Sequence, residues 1–319
     1  MKMKLIKIGI IALAILGSNV NVYPQSSDLV TITNGSYLMG DPLDGNKDAI
    51  MHQVTITAYQ IERNEVRFDL WLNVYHYAKL HGYTFDHDGS GKSTNHPVQK
   101  VNWYDVVKWC NARSQMEGLT PCYYTDIKLT QVYSKGRVDI GNTNVNWNVN
   151  GYRLPTEAEW ERAARGGAQG YRFPWTDNDN INRSKANYLG DNIAIRPPYD
   201  KGPPGYNPDY VISPLPYTSP VGAFPKNNYW LVDMSGNVAE WCWDWYNNRY
   251  YNVSVGSINP KGPTSSPSKS RVYRGGAWSV GASDARCMKR DYGLPILYNS
   301  SIGFCCVKLQ NSIPDPKPF

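Results

Sequence analysis

The stretch "RLPTEAEWERAARGG", Arg153 to Gly167, organises the reading of this chain. Thr156 followed three residues later by Glu159 is a capping box, the reciprocal bond that satisfies free amides at a helix start. Gly166 and Gly167 supply the left-handed conformation that ends one. The stretch therefore predicts a single short helix. Upstream, "VNWYDVVKWCNARSQMEG" (101–118) sets Trp103, Val106, Val107 and Cys110 at helical spacing, with Gly118 as the stop. Residues 67–81 also read as a helix. Further upstream, "LVTITNGSYLMG" and "HQVTITAYQIERNEV" alternate apolar and polar residues and predict two or three strands over 26–60. Residues 123–150 predict a hairpin with polar turns.

Downstream the regularity stops. Residues 168–220 are rich in Asn, Pro, Tyr, Gly and Asp. A loop this long is either functional or pinned, for instance by an ion. Short strands resume near 220–245 and 271–310. No linker, repeat or low-complexity block interrupts the chain, so the expectation is one domain over 26–319, preceded by a targeting segment over 1–25.

That segment has Lys2, Lys4 and Lys7 ahead of the apolar run Ile8–Gly17, too short to span a bilayer. It predicts export, to a bacterial surface or periplasm. "ILGS" ends with Ser18 where a bacterial lipoprotein carries Cys, so lipid anchoring would require Cys at that position. The net charge of +6 is spread thinly, with no Lys/Arg run of the kind that binds nucleic acid. Tyr (24) and Trp (11) are abundant, which suits either a recognition surface or a loop-rich core.

Six cysteines (110, 122, 242, 287, 305, 306) include no CxxC pair, and all five histidines lie at or before His96. A His-based metal site and a Ser-His-acid set are therefore not expected. "DGSGKST" (88–94) lacks the first glycine of a phosphate loop, Asp86 standing there, and reads as a surface turn. "DMSGNVAEWCWDWY" (233–246) packs Asp233, Asn237, Glu240 and Asp244 among tryptophans. Those oxygens either chelate a hard cation or cap turns, and the residues alone leave both open.

Several stretches now line up: "YLMG" (37–40), "ERNEV" (62–66), "HPVQKVNWYDVVKWCN" (96–111), "GYRLPTEAEWERAARGG" (151–167), "PVGAFPKNNYWLVDMSGNVAEWCWDWY" (220–246), "RGGAW" (274–278) and "IGF" (302–304). In this order they resemble the formylglycine-generating-enzyme, or sulfatase-modifying-factor, family. The resemblance implies an α+β, C-type-lectin-like fold, loop-rich with little regular secondary structure. It also implies a structural calcium ion held by the side chains of Asp233 and Glu240 and the carbonyls of Gly236 and Val238. It implies a disulfide between Cys110 and Cys306, and leaves Cys287 free or paired with Cys305 or Cys242.

The family's oxidases modify a sulfatase cysteine with a copper-binding cysteine pair placed between the "GG" and "RC" motifs. Here that interval is "AWSVGASDA" (277–285), shorter and without cysteine. Ser or Val cannot supply the soft ligand or the redox chemistry of a thiolate. Copper and formylglycine formation are therefore not expected. Ergothioneine-type relatives use a histidine-ligated iron on an extra helical domain, and neither that domain nor such a histidine set is expected here.

The C-terminal segment resembles the variable region of diversity-generating-retroelement proteins, which runs from "RGG-W" to "IGF". Adenine mutation of an Asn codon gives any codon ending in a pyrimidine, a set without Lys, Glu, Gln, Met and Trp. None of those stands at the positions matched to variable ones: Ser279, Val280, Gly281, Ser283, Asp284, Asp291, Tyr292, Gly293, Leu294, Ile296, Leu297 and Tyr298, with Asn299, Ser300 and Ser301 following. Met288 and Lys289 fall at framework positions. Apolar and Tyr residues on a Gly-punctuated loop suit a binding surface, although they would equally suit the core of the last strands. The favoured expectation is a non-catalytic, exported, ligand-binding protein with its site at about 279–301. The sugar-binding segments EPN and QPD are absent, which points to a protein ligand. An oxidoreductase with an altered site, or an envelope-assembly protein with fixed contacts, are the alternatives.

Overall fold

A computed structural model describes residues 28–212 and 214–310; residues 1–25, expected to be a targeting segment, and Ser18 among them lie outside these. Four short strands open the chain, β1 (Leu29–Ile32), β2 (Gly35–Met39), β3 (His52–Ile56) and β4 (Tyr59–Glu62), one more than the upper expectation. The extra breaks fall at Thr33–Asn34 and Thr57–Ala58, so each expected long strand is a pair. The pieces sort into two sheets, β2–β3 and β1–β4–β9, the last strand being β9 (Val307–Leu309).

Helix α1 (Phe68–Leu80) and helix α2 (Trp103–Met116) lie where the periodicity placed them. Asn102 caps α2 by accepting from the Asp105 amide, and Gly118 follows with a positive φ of 71°. Helix α3 (Glu157–Arg165) has its capping box in place and ends on left-handed Gly166. All nine of its residues are buried, including four charged side chains beyond the capping Glu159. A helix this polar is stable in a core only where those charges are paired. Glu157 and Glu161 pair with Arg274 and Arg290, from opposite ends of the segment that follows strand β6 (Arg271–Arg274), while Arg165 pairs with Glu161 and Asp41 and Arg162 donates to the carbonyls of Thr33 and Gly35.

The expected hairpin over 123–150 does not form. Only the bridges Tyr123–Val145 and Tyr124–Val132 and a 3-10 turn at Asn142–Asn144 are present. The reason is Asn111 on α2. Its amide donates to the carbonyls of Tyr123 and Tyr133 and accepts from the amides of Cys122 and Tyr123, bridging the Tyr123 amide and the Tyr133 carbonyl that a continued ladder would have paired, while Tyr133 N still donates to Tyr123 O.

Residues 168–220 contain no helix or strand among the described residues. They are pinned by their own side chains. Asp200 accepts from the Tyr188 hydroxyl and from the amides of Gly202 and Asp191. Phe173, Trp175, Ile181, Ala186, Tyr188 and Tyr199 form a small apolar cluster that also takes in Ala282 and Ala285. The central sheet has the order β7–β6–β5–β8, from β5 (Ala239–Trp245), β7 (Asp291–Gly293) and β8 (Ile302–Gly303). A four-residue helix, α4 (Tyr250–Val253), completes the elements.

Candidate ligand-binding site

The segment after β6 is held at both ends by α3. Arg274 donates to Glu157 at 2.9 Å and to Glu161 at 2.6 Å; Arg290 donates to both oxygens of Glu157 at 2.7 and 2.9 Å. Gly276 has φ +70°, and a Cβ there would stand 2.9 Å from the Ala285 backbone, so the turn requires glycine. Trp278 packs on Tyr206 and Tyr217 from the long loop.

Between these anchors the chain is fastened by its carbonyls. Leu189 N donates to Val280 O at 3.0 Å, and Arg286 Nε to Ser283 O at 2.7 Å. Further on, Trp103 N donates to Pro295 O at 3.0 Å, Lys100 N to Asn299 O at 2.8 Å, Trp278 Nε1 to Ser300 O at 2.9 Å, and Ala239 N to Ser301 O at 2.8 Å. Each acceptor is present whatever side chain the residue carries.

The side chains sort accordingly. Tyr292, Leu294, Ile296 and Tyr298 are exposed. Ser279, Val280, Gly281, Ser283, Asp284, Asp291, Gly293 and Leu297 are partly exposed. Ala277, Trp278, Ala282, Ala285, Arg286, Cys287, Met288, Arg290 and Pro295, which separate them, are buried. Leu297 belongs partly with the core, against which it packs. It is also coupled to Gly293, where a Cβ would stand 2.6 Å from Leu297 Cδ2. Gly281 meets Asp191 in the same way, at 2.6 Å. Tyr298 stacks on His87 and Tyr292 on Tyr246. The same segment contributes to a cavity of about 250 Å³ lined by Tyr273, Ser279, Asp284, Asp291, Asn299 and Ser301.

The cysteines sit away from this surface. Cys110 and Cys306 are brought together, both buried, with their sulfurs 3.7 Å apart. Cys122, Cys242, Cys287 and Cys305 are buried as well. Burial pushes the Cys287 and Cys122 thiols up to about 12, and those of Cys242 and Cys305 well above their ordinary value.

The turn over 233–240 is built from inward-facing oxygens. Asp233 accepts from Gly222 N at 2.5 Å through one oxygen, and its other oxygen is buried without a partner. Glu240 accepts from Trp160 Nε1 at 2.8 Å. Burial raises both carboxyls to about 7. Glu65, which the sequence did not single out although it lies in "ERNEV", accepts from Val238 N and Asn237 Nδ2 and is raised by burial and by Asp233 and Glu240. Among the described residues no three His, Cys, Asp or Glu side chains gather as a metal-holding group, so an ion here would lean on backbone carbonyls. The unpartnered Asp233 oxygen is the donor that fits one. Asp244 is separate, accepting from the Glu157 amide at the start of α3.

A loop-dominated α+β scaffold with a short central sheet is the C-type-lectin-like architecture. The fold is similar to that of Treponema denticola variable protein 1, with a TM-score of 0.65, 26% identity, and coverage of 88% of this chain and 95% of that one. Residues 18–310 match the sulfatase-modifying factor enzyme 1-like domain, and the chain belongs to that family. It is 30% identical over 259 residues to the chaperone protein LppX of Paenibacillus barcinonensis, covering 79% of each chain. It is 32% identical over 216 residues to the formylglycine-generating enzyme of Mus musculus, covering 67% of this chain but only 44% of that enzyme.

Proposed function

We propose that this chain is an exported, non-catalytic ligand-binding protein whose site is formed by the diversified residues of about 279–301. One observation carries the reading. Every position matched to a variable one is at least partly exposed, while the residues between them, Lys289 apart, are buried and the backbone is held largely through carbonyls. A surface fastened this way changes its chemistry without changing its shape.

The cysteines support the absence of catalysis. All six are buried, and those whose thiols shift do so upward, away from the thiolate that copper and nucleophilic chemistry require. A calcium ion on Asp233, Glu240 and the carbonyls of Gly236 and Val238 would brace the scaffold by neutralising carboxylates that burial disfavours. The exposed tyrosines and aliphatic residues favour a protein ligand outside the cell. Lipid anchoring would enter only with Cys in place of Ser18.

The test is a swap. Two versions of the chain, differing only at the twelve positions from Ser279 to Tyr298, are screened against the same array of extracellular proteins. The reading expects two different sets of bound proteins. Identical or empty sets would overturn it, as would copper-dependent oxidation of a sulfatase cysteine peptide by the purified chain.

A further inference from the structure

The cavity to which this segment contributes has a chemistry of its own, and the inference from it rests on the binding reading above. Its volume, about 250 Å³, lies below the roughly 300 Å³ at which pockets for drug-sized molecules begin. It matches one long side chain better than a whole small molecule. The charged groups at its edge are the carboxylates of Asp284 and Asp291, beside the Asn299 amide and the paired hydroxyls of Ser279 and Ser301, 2.7 Å apart. Val280 and Ile302 give it apolar wall.

The charge around it is negative. Burial, then Asp291 and further off Asp191, raise the Asp284 carboxyl, while Lys289 and Arg286 oppose them. Arg286 is already held by Asp44. That leaves Lys289, whose ammonium stands 3.1 Å from Asp291 and 3.7 Å from Asp284. Two carboxylates thus share one cation, which they would also offer to an incoming one.

The geometry points to a pocket that takes the arginine or lysine side chain of a protein ligand, with Asp284 and Asp291 meeting the cation and Val280 and Ile302 lining its aliphatic stem. Both acids occupy diversified positions, so the preference belongs to this version of the site. Lys289 is framework and acts as a resident competitor.

The probes are acetyl-Gly-Arg-Gly-amide, its lysine and citrulline counterparts, and free arginine, each titrated into the full chain by NMR. Citrulline keeps the shape of arginine and removes its charge. The expected result is binding of the arginine and lysine peptides, with citrulline weaker by roughly ten-fold or more. Asp284→Asn and Asp291→Asn should each weaken the arginine peptide by roughly ten-fold. Lys289→Ala should strengthen it, a direction that loss of a merely structural lysine would not give. Unchanged Tm in each variant shows that the fold is intact. Equal binding of the citrulline peptide, no binding of any peptide, or free arginine binding as tightly as the peptide would overturn the assignment. If the two swapped versions still select different proteins, only the cation pocket has failed. If they select none, the binding reading has failed with it.

Discussion

The turn over 233–240 and the segment over 279–301 are both irregular, glycine-containing and close to β5, yet they are built in opposite ways. In the turn the side chains hold the backbone. Asn237 donates to Glu65 at 2.7 Å and accepts from Ser219 N at 2.9 Å, Glu65 accepts from Val238 N, and Glu240 holds the Trp160 indole. In the segment the framework holds the backbone largely through carbonyls, and most side chains are exposed or partly exposed. The first arrangement ties structure to residue identity. The second separates them, which is what a surface with changing residues needs.

The largest expected effect tests the anchors common to both. Glu157→Ala would leave Arg290 and part of Arg274 as buried cations without their carboxylate, at about 3–5 kcal/mol. Urea unfolding measures it; a loss under about 1 kcal/mol would show that α3 does not clamp the segment. If calcium occupies the 233–240 turn, chelation should lower Tm and added calcium restore it, by about 2.7 kcal/mol at a hundred times the Kd. Calcium should leave the mobility of Tyr292 and Tyr298 unchanged in NMR relaxation, because those residues hang from a different frame.

Asn237→Ala removes a donor and an acceptor from buried partners and should destabilise by about 2 kcal/mol. A pH-dependent term comes from His96, which lies beside the Thr218 hydroxyl. Burial, with Lys92 nearby, lowers it to about 4, against about 6.5 when unfolded. Its contribution is present above about pH 6.5 and is lost as pH falls through 4. Stability measured across that window should fall less steeply in His96→Gln than in the parent chain. Smallest of all, Tyr292→Ala, Ile296→Ser and Tyr298→Ala should each change stability by within about 0.5 kcal/mol.

The helices were legible because their signals are local. Thr156 and Glu159 are three residues apart, and Asn102 precedes its helix directly. The failures were non-local. The hairpin over 123–150 was lost to Asn111 on a helix that precedes it in the chain. Glu157 and Arg290 are 133 residues apart, so nothing in either motif announced the pair that closes the site. Glu65 sits within a quoted motif, but its role depends on the chain returning at Val238. The positions matched to variable ones were assigned by resemblance, and what the structure adds is their exposure. The cavity and the place of Lys289 beside its acids needed coordinates.

The most direct test of the account is a saturation scan of residues 274–302 on a display platform, scored by protease resistance. The account predicts broad tolerance at the exposed positions Tyr292, Leu294, Ile296 and Tyr298 and at Ser279, Val280, Ser283 and Asp284. It predicts intolerance at Arg274, Gly276, Trp278, Ala282, Ala285 and Arg290. Equal intolerance in both sets would show that the segment is held by its side chains, and would contradict the claim that its backbone is fixed independently of them.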